Sequence, residues 1–140
     1  MLCVDVNVLV DAFRADAPHH VAARDWLDAA QRGDDLVVVL PEVIASAMRI
    51  LTNPRVWVNP GAIDDVVASI DDLAVAKAVV IHEPGPRRWE IFRELLSEHQ
   101  LHAGDLQDGL LAAAALELGA TFVTSDRGFS RFRGLRVLQP

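Results

Sequence analysis

The stretch GDLQDGLLAAAALELG, which begins at Gly104, constrains this chain more than any other. From Gly109 to Ala120 its only charged residue is Glu117. A helix that is apolar nearly all round belongs in the interior, covered by other elements. Its small alanines allow close approach to a sheet, and Gly119 suits a C-cap that turns the chain at once into the strand TFVT. The first turn of the same helix nevertheless carries Asp105 and Asp108, three residues apart and therefore near one another. Capping and the helix dipole account for Asp105, read here as the N-cap. They account less fully for Asp108, at the mouth of a buried helix.

The rest of the chain supplies the surroundings that such a helix needs. Strand-like apolar runs fall at Leu2–Val4, Leu36–Leu40, Val79–Ile81, Thr121–Thr124 and Leu135–Leu138. Between them, helices are predicted over His19–Ala30, Pro41–Leu51, Asp64–Leu73, Arg87–Glu98 and Leu106–Leu118. Strands alternating with helices predict an α/β fold with a mainly parallel sheet. No repeat, low-complexity tract or linker divides the 140 residues, so one domain spanning 1–140 is expected.

Charge and cysteine content narrow the class. The net charge of −7 argues against a simple polyanion-binding surface. Lys77 is the only lysine, so the other twelve of the 13 basic residues are arginines. Arg87, Arg88 and Arg93 form one group, and Arg127, Arg131, Arg133 and Arg136 another. These serve either as phosphate contacts or as counter-charges to acidic neighbours on a solvated face. The lone Cys3 excludes an internal disulfide and fits a reducing cytoplasm. No apolar run reaches the roughly 18 residues of a membrane span, and the opening segment lacks the basic flank of a signal peptide.

The opening MLCVDVNVLV reads as a buried strand once Asp5 and Asn7 are set aside. A lone ionised carboxylate inside a core is very costly, so Asp5 requires a partner or a place at the strand's end. Ligands of parallel α/β sheets sit beyond the carboxyl ends of the strands. Asp5 ends the first strand there, and Asp126 ends TFVTSD. The helices beginning at Pro41 and Leu106 start at the same edge, which brings in Glu42 and Asp108. Two carboxylates about 4 Å apart repel by about 4 kcal/mol at an effective dielectric near 20. Such a cluster shares a proton or takes a divalent ion. Oxygen ligands without neighbouring histidine favour Mg²⁺ or Mn²⁺, ions suited to phosphate-ester chemistry. The pair His99 and His102 lacks a thiol or third histidine and reads as a solvated helix end.

These residues resemble a known pattern. LCVDVNVLVDAF is similar to the opening of the PIN domain, and of the VapC-type ribonuclease toxins in particular. DGLLAAAALELGATFVTSDRGFSRF resembles the family's later block, with Asp108 as the helix-borne acid and Asp126 in the Thr-x-Asp segment. RILTNPRVW, EPGPRRWEIF and FRGLRVLQP resemble one branch of it. The resemblance implies a three-layer α/β/α PIN-like fold and a Mg²⁺-dependent endoribonuclease in which Mn²⁺ can substitute. It implies catalysis by Asp5, Asp108 and Asp126, with Asp5 and Asp108 as metal ligands. It further implies cleavage of structured RNA, such as transfer or ribosomal RNA, by metal-activated water. A homodimer and a VapB-type antitoxin partner belong to the same pattern.

Two positions depart from that pattern. Ser46 stands where many relatives carry a glutamate; Glu42, one turn earlier on the same face, either substitutes for it or complements the helix dipole. Gly128 stands in place of a second acid after Asp126. These departures leave a non-enzymatic alternative, a PIN-like module that binds RNA or a protein partner with little cleavage. A haloacid-dehalogenase-type phosphatase would need a second acid where Asn7 stands. A receiver domain would need a lysine after a strand, whereas Lys77 precedes one.

Overall fold

Runs of valine, phenylalanine and leucine too short to span a large sheet make five three-residue strands. In the computed structural model, which describes residues 1–140, these are β1 (Leu2–Val4), β2 (Val37–Val39), β3 (Val79–Ile81), β4 (Thr121–Val123) and β5 (Arg136–Leu138). They pair in the order β3-β2-β1-β4-β5, and every neighbouring pair is parallel. Cys3, Val4, Val37, Val38, Val39, Phe122 and Val123 are all buried, as in a parallel sheet covered on both faces.

Six helices provide the cover: α1 (Val6–Phe13), α2 (His20–Arg32), α3 (Pro41–Leu51), α4 (Ile63–Ala74), α5 (Arg87–His99) and α6 (Asp105–Leu118). The chain moves from β1 outward to β2 and β3, then crosses back to β4 and β5. Right-handed crossovers put connections made in opposite directions on opposite faces. Accordingly α1 packs on α2 and α3, α3 packs on α4, and α5 packs on α6. The result is the expected three-layer α/β/α architecture around one continuous apolar core.

Helix α6 is the buried helix that its composition demands, with Leu111 through Ala115 inside. Gly109 brings it close to α5: a Cβ there would lie 2.4 Å from Leu101 Cδ1 and 3.2 Å from Phe92 Cε2. Gly119 takes the left-handed C-cap conformation, with φ of 61°. Asp105 is not the N-cap; it is the first helical residue, and Gly104 precedes it without a side-chain cap.

Three other expectations change. The opening run is not one strand: β1 stops at Val4 and α1 begins at Val6, capped by the Asp5 side chain. A short, mostly apolar run fits either state, and the cap decides between them. A short 3₁₀ turn, Arg127–Arg131, follows β4. His99 is not a solvated helix end; its ring packs edge-on against Phe132 at 5.2 Å, and its Nε2 is buried without a partner. The C-terminal turn folds over that end of α5. Cys3 is the inert core residue expected, its thiol pushed up to about 12 by burial.

The one charge on α6 has a structural use. Glu117 accepts hydrogen bonds from the backbone N–H groups of Gly85, at 2.7 Å, and Arg88, at 3.1 Å. It thereby satisfies the start of α5, which has no side-chain cap of its own. Glu117→Ala is expected to lower the unfolding free energy by about 1–2 kcal/mol, measured by urea denaturation.

Candidate active site

The sheet reverses its direction of travel beside β1, because β2 lies on one side of that strand and β4 on the other. Ligands of open parallel sheets bind in the crevice this reversal creates, at the carboxyl ends of the strands. Asp5 follows β1 there, and the segment Thr124-Ser125-Asp126 follows β4. Asp5 is only 5% exposed, and its carboxylate accepts three hydrogen bonds. Oδ1 accepts from the Val6 N–H at 2.6 Å, and Oδ2 accepts from Asn7 Nδ2 at 2.8 Å and from the Thr124 hydroxyl at 2.5 Å.

Asn7 and Thr124 weld the two strand ends together. Asn7 Nδ2 also donates to Thr124 Oγ1 at 2.9 Å, and Asn7 Oδ1 accepts from the Ser125 N–H at 3.1 Å. Thr124 Oγ1 accepts in addition from the Asp126 N–H at 3.0 Å. The strand-end acid is therefore held by donors from both halves of the chain. An amide at position 5 would set its own N–H₂ against at least one of those donors.

A cavity of about 620 Å³ opens over this junction, bounded by α1, α3, α6 and the 3₁₀ turn. Asp5, Asp108 and Asp126, the three acids predicted from sequence, all line it. Asp108 is half-buried and Asp126 is exposed. Asp126 Oδ1 caps the 3₁₀ turn by accepting from the Gly128 N–H at 2.7 Å. A Cβ on Gly128 would stand 3.0 Å from that same oxygen, so a side chain there requires Asp126 to shift.

Glu42 is placed elsewhere. It forms an ion pair with Arg88 of α5, whose Nε also donates to the Leu110 carbonyl at 3.2 Å. Arg88 thus straddles the sheet edge and joins the two helical layers. Ser46, one turn along α3, is the residue that reaches the cavity, which is one carboxylate poorer for it. Asp11, Arg49 and Gln107 also line the cavity, and sequence reasoning missed them. A signal existed for two: Asp11 lies four residues beyond Asn7, and Arg49 three beyond Ser46, on the same helix faces.

Burial is the largest influence on Asp5 and pushes its carboxyl up to about 6; bonds from Thr124 and Val6 oppose it, and Asp108 and Asp126 add to it. Asp108 is raised by burial and by Asp126 and Asp105, against the pull of Arg131. Asp11 is raised by burial, against His19 and His20. No three acidic, histidine or cysteine side chains form a ready-made metal cage. The donor set fits a hard divalent ion that keeps most of its waters, because such an ion needs only one or two carboxylates. Asp5 and Asp108 are the pair that would hold it.

With this geometry in hand, comparison with known proteins is decisive. The model of the PIN domain matches residues 2–135. The chain belongs to the PIN-domain family. Ribonuclease VapC43 of Mycobacterium tuberculosis is 42% identical over 140 residues, spanning 100% of this chain and 95% of the relative. Ribonuclease VapC25 of the same organism is 34% identical over 140 residues, spanning 100% and 99%. These likenesses place the PIN domain described here among the VapC ribonucleases. The crystal structure of M. tuberculosis VapC20, a sarcin-ricin loop cleaving toxin, superposes with a TM-score of 0.74 over 100% of both chains at 15% identity. VapBC2 from Rickettsia felis, bound to a promoter DNA fragment, gives 0.72 at 18% identity, covering 99% of this chain and 97% of that one. At these identities the structures speak to the fold, which they share.

Two outcomes check the site. Asp5 rises from an ordinary 3.8 to about 6 on folding, so the folded state binds the extra proton between those values. Its contribution to stability is therefore fully present below about pH 4 and is lost as pH rises through about 6, by roughly 3 kcal/mol at most. In EDTA, Asp5→Asn is expected to flatten that part of the pH profile of urea midpoints; a variant profile parallel to the parent's would assign the slope to other acids. Glu42→Gln is expected to lower stability through the lost Arg88 pair and leave Mn²⁺ affinity unchanged in calorimetric titration.

Proposed function

We propose that this protein is a metal-dependent endoribonuclease acting as the toxin of a type II toxin–antitoxin pair. One observation carries the reading. In a chain 42% identical to a VapC ribonuclease, Asp5 and Asp108, far apart in sequence, face the same cavity at the sheet's switch point. Asp5 and Asp108 hold Mg²⁺, with Mn²⁺ as a substitute. When bound, such an ion lowers the pKa of water and polarises a phosphoryl oxygen.

The chain's own residues do the positioning. Asn7, Thr124 and the Val6 N–H set the orientation of the Asp5 carboxylate. Asp126, tied through Oδ1 to Gly128, keeps Oδ2 without a protein partner, available to order the attacking water or take its proton. Hydrolysis of the phosphodiester in this way leaves a 5′-phosphate and a 3′-hydroxyl. The substrate class is structured RNA, transfer or ribosomal, a reading supported by the sarcin-ricin loop activity named for VapC20. A VapB-type antitoxin is the protein partner, as in the VapBC complexes that share the fold, and the toxin is a homodimer. No helix is long and apolar enough to cross a membrane, and a single reduced cysteine suits the cytoplasm.

Ser46 and Gly128, which stand where the resembled pattern has acids, favour a second reading: an RNA- or partner-binding module with little cleavage. Incubating the purified chain with transfer and ribosomal RNA, in Mg²⁺ or Mn²⁺ against EDTA, separates the two. Metal-dependent cleavage is expected, with Asp108→Asn losing at least the roughly 100-fold typical of a damaged metal site. Millimolar Mn²⁺ is expected to raise the melting temperature of the parent and not of Asp108→Asn. RNA left intact by a parent that binds it tightly would favour the module.

A further inference from the structure

The acidic cavity is bordered by a cation that the chain itself supplies. Arg131, the last residue of the 3₁₀ turn, places Nη2 at 3.1 Å from both Asp105 Oδ1 and Asp108 Oδ2. Its guanidinium carbon lies 4.8 Å above the ring centre of Phe132, which steadies the group. Nη1 points to the place that a side chain on Gly128 would occupy; a Cβ there would be 3.7 Å away. The other arginines at this edge differ. Arg88 is committed to Glu42, and Arg49 has no carboxylate partner.

We propose that Arg131 is a positioning residue with two alternating partners: it competes with the divalent ion for Asp108, and once displaced it pairs with a phosphate of the bound RNA. The inference rests on the reading of the cavity as a metal-dependent ribonuclease site.

Five features argue for the exchange. The oxygen that Arg131 holds, Asp108 Oδ2, belongs to a carboxylate that the ion needs, and a guanidinium beside a divalent cation is repelled by it. Arg131 is 36% exposed, so solvent screens this competition and keeps it moderate. The guanidinium has five N–H donors in a planar fork that matches a phosphate, and only Nη2 is engaged in the structure. Asp105 retains a hold on the arginine when Asp108 leaves, so the released group stays at the rim where RNA must approach. The bare backbone at Gly128 leaves room for it to turn.

Arg131→Ala, Arg131→Lys and the parent are to be titrated with Mn²⁺ by calorimetry. They are then compared for binding of a fluorescein-labelled, hydrolysis-resistant phosphorothioate RNA hairpin in Mn²⁺. Arg131→Ala is expected to bind Mn²⁺ about three- to tenfold more tightly and the hairpin about three- to tenfold more weakly. Arg131→Lys, a point charge without the fork, is expected to fall between for both. A merely structural role would weaken both affinities together or neither. Unchanged or weaker Mn²⁺ binding in Arg131→Ala overturns the inference, and so does unchanged hairpin binding. A parent that takes up no Mn²⁺ overturns the metal reading as well, whereas a parent that binds it with Arg131 making no difference overturns this inference alone.

Discussion

The hydroxyl of Thr124 is the smallest group on which most of the molecule depends. It donates to Asp5 and accepts from Asn7 and the Asp126 backbone, using its one proton and both lone pairs. It has no access to solvent, so any partner lost would go unreplaced at a cost of about 1–3 kcal/mol. Through it the end of the first strand and the end of the fourth become one rigid piece. The buried carboxylate, the start of α1 and the loop bearing Asp126 all take their positions from that joint. Stability and chemistry therefore share the same few hydrogen bonds.

A chain with net charge −7 has to attract RNA against its own field. Each arginine at the cavity edge has a different commitment. Arg88 crosses the sheet edge to hold α3 against α5 and α6, which makes it part of the frame. Arg131 sits across two acids of α6, where it offsets their mutual repulsion. Arg49 enters the cavity from α3 with no acidic partner. Identical side chains thus range from structural to available, according to how many carboxylates stand within reach.

Much of this was legible in the sequence, and the parts that were not share a cause. The apolar runs located all five strands, and the lack of charge in α6 announced a buried helix. Asp5, Asp108 and Asp126 were found because strand ends and helix starts in a parallel sheet converge by topology alone. Helix α1 escaped because its eight residues are too few and too apolar to settle a period, and the cap at Asp5 separates it from β1. Arg131 was singled out only as one of a group, without its partners: these are more than twenty residues away, and no local pattern encodes a tertiary ion pair. The Glu42–Arg88 pair was hidden in the same way, as was the orphan ring nitrogen of His99 beneath Phe132.

The pairing of β1 with β4 has a consequence for the protein's birth. The cavity draws on Asp5, Asn7 and Asp11 from the start of the chain and on Gln107, Asp108 and Asp126 from near its finish. Domains emerge from the ribosome amino-terminus first, so Asp5, Asn7 and Asp11 are made well before Asp108 and Asp126. Until Thr124 clears the exit tunnel, the carboxylate of Asp5 lacks the hydroxyl that ties it to the fourth strand. Strand order thus decides when the cavity can first close: the pairing of β1 with β4 needs a partner made more than a hundred residues later.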